Sequence, residues 1–102
     1  MKFVEWDERK NEKLKRERDI CFEEILLAII EQRILAVVEH PNKKRYGHQK
    51  VLIVKINHYA YLVPYVENEN AIFLKTIIPS RKATKQYIIR KPRLSWALNI
   101  TN

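Results

Sequence analysis

The stretch that decides the fold of this 102-residue chain is Phe73-Leu-Lys-Thr-Ile-Ile-Pro-Ser-Arg-Lys-Ala83. Its first half is apolar and β-branched, which predicts a strand ending at Pro79. Ser80 is a favoured N-cap residue, so a helix is expected to begin at the basic residues after it. A rigid sheet would thereby present Arg81 and Lys82 at a helix start, where backbone N–H groups suit a phosphate. An ordinary strand end with a solvated helix face is an equal alternative on this stretch alone.

Length and composition indicate one soluble domain. With 102 residues, 46% of them hydrophobic, the chain is long enough for one domain with its core but too short for two domains. The single cysteine, Cys21, excludes an internal disulfide and is typical of a reducing compartment. The sequence has neither a long apolar run nor a signal-peptide pattern. We therefore expect a cytoplasmic protein without membrane contact, with its domain over 1–91 and a flexible tail over 92–102.

Charge is distributed unevenly along the chain, whose formal net charge is +8. Residues 1–40 contain 8 Lys/Arg and 10 Asp/Glu, a net of −2, whereas residues 41–102 contain 12 and 2, a net of +10. This asymmetry favours a polyanion, most often nucleic acid, or an acidic protein as the partner. A basic protein without such a partner is the alternative.

A short strand and a charged helix are predicted at the N-terminus. Aromatic and β-branched residues favour the strand at 2–6, and Asp7 is positioned to cap a helix over 8–18. Only Leu14 gives that helix an apolar face, so it must lie at the surface. Lys10 lies one turn before Leu14 and points towards the body of the protein, where its stem covers apolar surface or its ammonium group reaches a groove.

The second predicted helix, over 21–33, has apolar residues at core spacing. Asp19 is expected to end the first helix in the left-handed conformation, which Asp tolerates better than most residues. Cys21 is interpreted as a small buried hydrophobe because no activating residue accompanies it in the sequence.

From Ile34 the hydrophobic pattern changes to that of strands, and a short helix is predicted over 80–91. Asn57-His58 fits a two-residue hairpin turn, and Pro64 is expected at a bulge or an unpaired edge. The fold class is thus α+β: a short N-terminal strand, two N-terminal helices on an antiparallel meander, and a short C-terminal helix. The meander strands are predicted over residues 34–39, 50–56, 59–66 and 71–78.

A basic segment, 42–49, is predicted to be a loop between the first two meander strands. Lys43, Lys44 and Arg45 there surround Tyr46. An aromatic ring among cations can stack a nucleobase while the cations bind phosphate. A charged surface loop without a ligand is an equal alternative.

Most enzyme signatures are missing from the sequence. His40, His48 and His58 lack the spacing of metal ligands, and a single glycine excludes a glycine-rich phosphate loop, so no metal or other cofactor is expected. The remaining chemistry is a basic groove with Lys, Arg, His and Tyr side chains. Such a groove can cleave RNA through attack of the 2′-hydroxyl on its own phosphate, given a base, an acid and cations around the phosphorane.

Three segments together carry a family resemblance: the Phe-x-x-Trp-Asp-x-x-Lys pattern of 3–10, Phe22–Glu24, and Ile77–Thr84. With these spacings, residues 3–90 resemble the BrnT toxins of the RelE/ParE-like superfamily. The resemblance implies a RelE-like fold and ribonuclease activity that blocks translation. It also implies a ribbon-helix-helix antitoxin that covers the active face and alone contacts operator DNA.

The resemblance assigns roles to several residues. Trp6 and Asp7 match structural positions, and Lys10 completes their motif. Arg18 stands where the family usually has a histidine; an arginine can stabilise a phosphorane but hardly shuttles a proton. The alternative function is a non-catalytic module of the same fold that binds RNA or an acidic partner. The expected catalytic residues are Lys10, Arg18 and Arg81, with His48 or Tyr87 for proton transfer, and the expected RNA-binding residues are Lys43, Lys44, Arg45, Ser80, Lys82 and Lys85.

Overall fold

The computed structural model describes residues 2–89 and confirms the α+β class, with two N-terminal helices and a short C-terminal helix. The elements are β1 (Phe3–Trp6), α1 (Glu8–Arg18), α2 (Phe22–Ile30), β2 (Ile34–Glu39), α3 (Lys43–Tyr46), β3 (Lys50–Ile56), β4 (Tyr59–Glu67), β5 (Ala71–Leu74), β6 (Ile78–Pro79) and α4 (Arg81–Thr84), which continues as a π-helical segment over Lys85–Ile89. The predicted tail over 92–102 and the last residues of the helix predicted to 91 lie outside the described residues.

The strands form one mixed sheet in the order β1-β5-β4-β3-β2, and β6 pairs with β4. Strands β2 to β5 make the predicted antiparallel meander. Strand β1 pairs in parallel with β5, with Phe3 opposite Ala71. The N-terminal strand therefore joins the sheet next to one of the last strands in sequence, while β2 forms the opposite edge.

The β3–β4 hairpin follows the sequence pattern closely. Asn57 and His58 have φ values of 52° and 67°, so both turn residues are left-handed as a tight hairpin turn requires. The strand predicted over 71–78 is interrupted instead, because the register changes between the Tyr65–Leu74 and Leu62–Ile78 pairs.

This change of register places a bulge opposite Pro64. Pro64 has no N–H to donate, and its carbonyl oxygen accepts a hydrogen bond from the Lys75 N–H at 2.8 Å. Of the two settings predicted for Pro64, a bulge or an unpaired edge, the pairing shows the first, and the uninterrupted strand over 71–78 is wrong.

The main core lies between the two N-terminal helices and one face of the sheet, here called the helix-side face. Phe22, Ile25 and Ala28 of α2 are fully buried there. Trp6 stacks on Phe22 with ring centroids 5.6 Å apart. The other members of this core include Leu14, Leu52, Val54, Val63, Tyr65, Leu74 and Ile77.

Polar contacts fix how α1 meets α2. Asp7 caps α1 by accepting a hydrogen bond from the Arg9 N–H at 2.8 Å, and Asp19 ends it with a φ of 54°, as predicted. The fully buried Asn11 accepts from the Phe22 N–H at 2.7 Å and donates to Glu23 Oε1 at 2.8 Å. Because the N-cap residue of α2 makes no side-chain cap, Asn11 supplies that cap from the neighbouring helix.

Helix α2 ends at Ile30, three residues before the predicted end. Gln32 is left-handed with a φ of 60°, and the Arg33 N–H returns to the Ala28 carbonyl at 2.8 Å. Cys21 is half-buried rather than buried, and its burial raises the pKa of the thiol. A thiol with a raised pKa is a poorer nucleophile at neutral pH.

Candidate functional site

The strand-to-helix junction is anchored to β4 by its own motif. Ser80 Oγ accepts a hydrogen bond from the Ala83 N–H at 3.0 Å, which is the predicted N-cap. The buried Thr84 Oγ1 accepts from the Ala60 N–H at 2.8 Å and donates to the Ser80 carbonyl at 2.8 Å. The Ser80 N–H in turn donates to the Ala60 carbonyl at 3.0 Å. These bonds join the first turn of α4 to the middle of the sheet.

The junction residues, 80–84, thus fall into two groups: those that hold the backbone in place and those whose side chains are exposed. Ser80 and Thr84 form the anchor, and Ala83 is buried with Val51 and other residues of a second, smaller core. Arg81 and Lys82 are exposed, and neither side chain makes a hydrogen bond or ion pair within residues 2–89. Two exposed cations therefore lie on a turn that is hydrogen-bonded to the sheet.

Helix α4 and the π-helical segment pack on the face of the sheet opposite α1 and α2, here called the groove-side face. They leave a groove of about 270 Å³ beside the open edge of β2. Tyr87 lines it from the π-helical segment, with Ser80 and Lys82 from the junction. The sheet side is lined by Val38, Glu39, Pro41, Val51, Ile53 and Leu62, and Gln86 completes the helix side.

The basic segment before β3 contains a helical turn rather than the predicted loop. Asn42 caps α3 by accepting from the Arg45 N–H at 3.2 Å. A Cβ at Gly47 would lie 2.7 Å from the Lys43 carbonyl oxygen, so this end of the turn requires the chain's only glycine. Lys43 forms an ion pair with Glu39 and lowers the pKa of that carboxyl. Because Glu39 lines the groove, its ion pair with Lys43 places α3 at the edge of the groove.

The ring of Tyr46 already has partners within the protein. The Arg45 guanidinium lies over it at 5.4 Å from the centroid, and the His40 ring centroid is 4.6 Å away. Stacking of a nucleobase on Tyr46 would compete with both contacts. Lys44 is exposed on the same helical turn.

Arg18 connects α1 to the junction from the helix side. Its Nη1 donates to the Ile77 carbonyl at 2.7 Å, three residues before Ser80. This hydrogen bond uses one of the five N–H donors of the guanidinium, so the other donors stay available to a ligand. A long-range contact of this kind has no local sequence pattern.

The other predicted residues are more dispersed. Lys10 is half-buried on α1, while His48 and Lys85 are exposed. Of the predicted catalytic residues only Tyr87 lines the groove, where it meets Ser80 and Lys82 of the predicted RNA-binding set. The residues outside the lining are Lys10, Arg18, His48 and Arg81. Two structurally important side chains, Asn11 and Thr84, were missed, although a threonine four residues after a serine N-cap could have suggested the second.

Two further features of residues 2–89 bear on the site. No group of three or more His, Cys, Asp or Glu side chains lies together there in a metal-binding arrangement. No helix in that range is long and apolar enough to cross a membrane.

Comparisons with protein-family models, curated proteins and solved structures found no match for this chain. The resemblance to BrnT toxins therefore rests on the three sequence segments described above. The α+β architecture and the geometry of the junction are independent of that resemblance.

Proposed function

We propose that this protein is the toxin of a type II toxin–antitoxin system, a cytoplasmic endoribonuclease of RelE-like fold that cleaves RNA without a metal ion and inhibits translation. The observation that supports it most is the junction between β6 and α4. Ser80 and Thr84 hold the backbone through hydrogen bonds, whereas the side chains of Arg81 and Lys82 are exposed and make no hydrogen bond or ion pair within residues 2–89. Preorganised cations beside a groove suit a phosphate whose charge increases in the transition state.

The proposed reaction is an internal transesterification of RNA. The 2′-hydroxyl gives up its proton to solvent water as its oxygen attacks the adjacent phosphorus. The bond between phosphorus and the 5′-oxygen breaks, and that oxygen leaves with a proton, giving a 2′,3′-cyclic phosphate and a 5′-hydroxyl. Arg81 stabilises the phosphorane. Lys10 and Arg18 belong to α1 on the helix-side face, so they do not act in the groove that Tyr87 lines. Tyr87 supplies a phenol that can donate the proton to the leaving oxygen, and His48 is the other candidate for proton transfer.

The charge of the second half of the chain supports a polyanionic substrate and an acidic inhibitor. Within residues 41–89, 9 Lys/Arg face 2 Asp/Glu, a net of +7. Lys43, Lys44, Arg45 and Lys85 would position the RNA backbone around the groove. A ribbon-helix-helix antitoxin would cover this surface with acidic or helical segments and would alone contact operator DNA.

Cleavage of a defined single-stranded RNA by the purified protein, without added metal, tests the proposal. We expect cyclic-phosphate ends, and we expect Arg81→Ala and Tyr87→Phe each to lower the rate by roughly 10²-fold or more. Lys13→Ala, which removes an exposed cation from α1, is the matched control and should cleave at nearly the wild-type rate. Equal rates for the wild type and Arg81→Ala would rule out the junction as the site.

A non-catalytic RNA-binding or partner-binding module is the second candidate. The observation that favours it is that His48, one of the two candidates for proton transfer, lies outside the groove lining. In that case RNA would bind without being cut, and Arg81→Ala would reduce the slope of log affinity against log salt by about 1.

A further inference from the structure

The groove on the groove-side face has an apolar side formed by the sheet. Val51 and Ile53 of β3 and Leu62 of β4 line it there. Val51 and Ile53 are two positions apart on one strand and so share a face, and Ile53 lies directly opposite Leu62 in the β3–β4 pairing. These three side chains therefore adjoin one another and form one apolar surface, here called the groove floor.

The helix side of the groove is polar, and its polar groups are free. Lys82 and Gln86 line it one helical turn apart, and Tyr87 follows Gln86. Lys82 and Gln86 are exposed, Tyr87 is half-buried, and no hydrogen bond or ion pair within residues 2–89 engages these three side chains. Ser80 differs, because its Oγ already accepts from the Ala83 N–H. An ammonium group, an amide and a phenol are thus available to one ligand.

The charge that the groove offers to a ligand is positive. Glu39 is the acidic residue of the lining, and its carboxylate is already paired with Lys43. The ammonium group of Lys82 has no such partner within residues 2–89, and Arg81 is exposed beside it on the same turn. A ligand that extends from the groove floor towards the junction therefore meets two unpaired cations and is expected to carry an anionic group at that end.

This combination of groups matches the chemistry of a nucleotide. A nucleobase has apolar faces that pack on a flat surface, an edge of hydrogen-bond donors and acceptors for an amide, and a phosphate attached nearby. The groove volume of about 270 Å³ lies just below the range of about 300–1,000 Å³ for drug-sized ligands, so it suits one base rather than several. An aliphatic side chain of a protein partner would use the groove floor but neither Gln86 nor Lys82.

We propose that the groove binds one unstacked nucleobase of single-stranded RNA, an inference that rests on the proposed function and adds base selection to it. The base lies on the groove floor, the Gln86 amide hydrogen-bonds to its edge, and Lys82 binds the phosphate of the same nucleotide. Adenine is the expected base, since an amide side chain pairs with it through two hydrogen bonds. The protein would then select its RNA by the base next to the phosphate at the junction.

Mononucleotides test the site separately from cleavage, because they lack a bond between nucleotides to be cut. The 5′-monophosphates of adenosine, guanosine, cytidine and uridine are compared with ribose 5-phosphate, which has the sugar and phosphate but no base. Binding to the full chain is measured from amide and methyl chemical shifts at constant ionic strength. We expect the adenosine nucleotide to bind at least roughly tenfold more tightly than ribose 5-phosphate and to shift the methyl groups of the groove floor.

Three variants separate the contribution of the base from that of the phosphate. Gln86→Ala should weaken binding of the adenosine nucleotide roughly tenfold and leave ribose 5-phosphate unchanged. Lys82→Ala should weaken both ligands by the same factor, because both carry the phosphate. Gln49→Ala, which truncates a half-buried glutamine outside the groove lining, is the matched control and should change neither affinity.

Several results would overturn the inference. These are equal affinities for the adenosine nucleotide and ribose 5-phosphate, equal affinities for all four nucleotides, or an unchanged nucleotide affinity in Gln86→Ala. Tighter binding of N-acetyl-leucine amide than of any nucleotide would also overturn it and would indicate a protein side chain as the natural occupant. Base binding by a protein that leaves RNA uncut would contradict the proposed nuclease activity alone, whereas RNA cleavage without any base preference would contradict this inference alone.

Discussion

The two faces of the sheet are covered to very different degrees. On the helix-side face, α1 and α2 bury Phe22, Ile25 and Val54 completely. On the groove-side face, α4 and the π-helical segment bury a smaller core around Val51 and Ala83 and leave a groove of about 270 Å³.

This difference separates stability from binding. Most of the buried apolar area, and hence most of the hydrophobic stabilisation, lies on the helix-side face. Fewer buried side chains pack on the groove-side face. Ser80 is held there by hydrogen bonds to Ala60 of β4 and to Thr84. Substitutions in the core of the helix-side face should therefore lower the free energy of unfolding more than substitutions on the groove-side face. Four experiments test this difference.

The largest effect is expected from truncation in the main core. Ile25→Ala should lower the free energy of unfolding by about 2–5 kcal/mol, because it removes buried methyl groups and leaves a cavity. Leu62→Ala, in the half-buried groove lining, should cost much less, about 1 kcal/mol. Urea denaturation measures both, and equal losses would show that the groove-side face is packed as tightly as the other.

A smaller loss is expected at the buried polar contact between α1 and α2. Asn11→Ala leaves the Phe22 N–H buried without an acceptor and should cost about 1–3 kcal/mol. Asn11→Asp retains that acceptor but places a carboxylate beside Glu23, so its loss should shrink as the pH is lowered. A pH-independent loss in Asn11→Asp would contradict the assigned contact.

Thr84 is the groove-side counterpart of Asn11. Thr84→Val keeps the shape of the side chain but leaves the Ala60 N–H without its acceptor, at a cost of about 1–2 kcal/mol. Thr84→Ser keeps the hydroxyl and should lose less. If Val and Ser variants unfold at the same urea concentration, the hydrogen bond does not anchor the junction.

The smallest effect concerns acid sensitivity. The Asn11 amide donates to the Glu23 carboxylate and lowers its pKa in the folded state. This group therefore stabilises the fold above its unfolded pKa of about 4.3, and the contribution is lost as the pH falls through the folded pKa. Glu23→Gln should make the urea midpoint fall less steeply below about pH 5. An unchanged slope would mean that the hydrogen bond persists equally in the unfolded chain.

Local patterns in the sequence predicted most of the helices and strands but not all of the contacts between them. The Asp7 cap, the left-handed Asp19 and the 57–58 turn follow from residue preferences that act over a few positions. The end of α2 and the break between β5 and β6 depend on packing and register, so their predicted limits were wrong. The turn at α3 was missed although Asn42 is a favoured cap.

The candidate site shows the same limit. The sequence predicted that Ser80 caps a helix and that Arg81 and Lys82 follow it on the surface. It could not predict that Arg18 reaches the Ile77 carbonyl or that Asn11 is the buried polar residue of α1, since both contacts join distant segments. The bond between Thr84 and Ala60 is equally non-local.

The parallel pairing of β1 with β5 has a consequence for how the chain acquires its structure during synthesis. The β3–β4 hairpin joins neighbouring residues and can form within microseconds of its emergence. Phe3, by contrast, pairs opposite Ala71, so its backbone partner does not exist until synthesis has reached residue 71. Of the strands described, β1 thus waits longest for its partner, and a nascent chain stalled before residue 71 would have β1 unpaired.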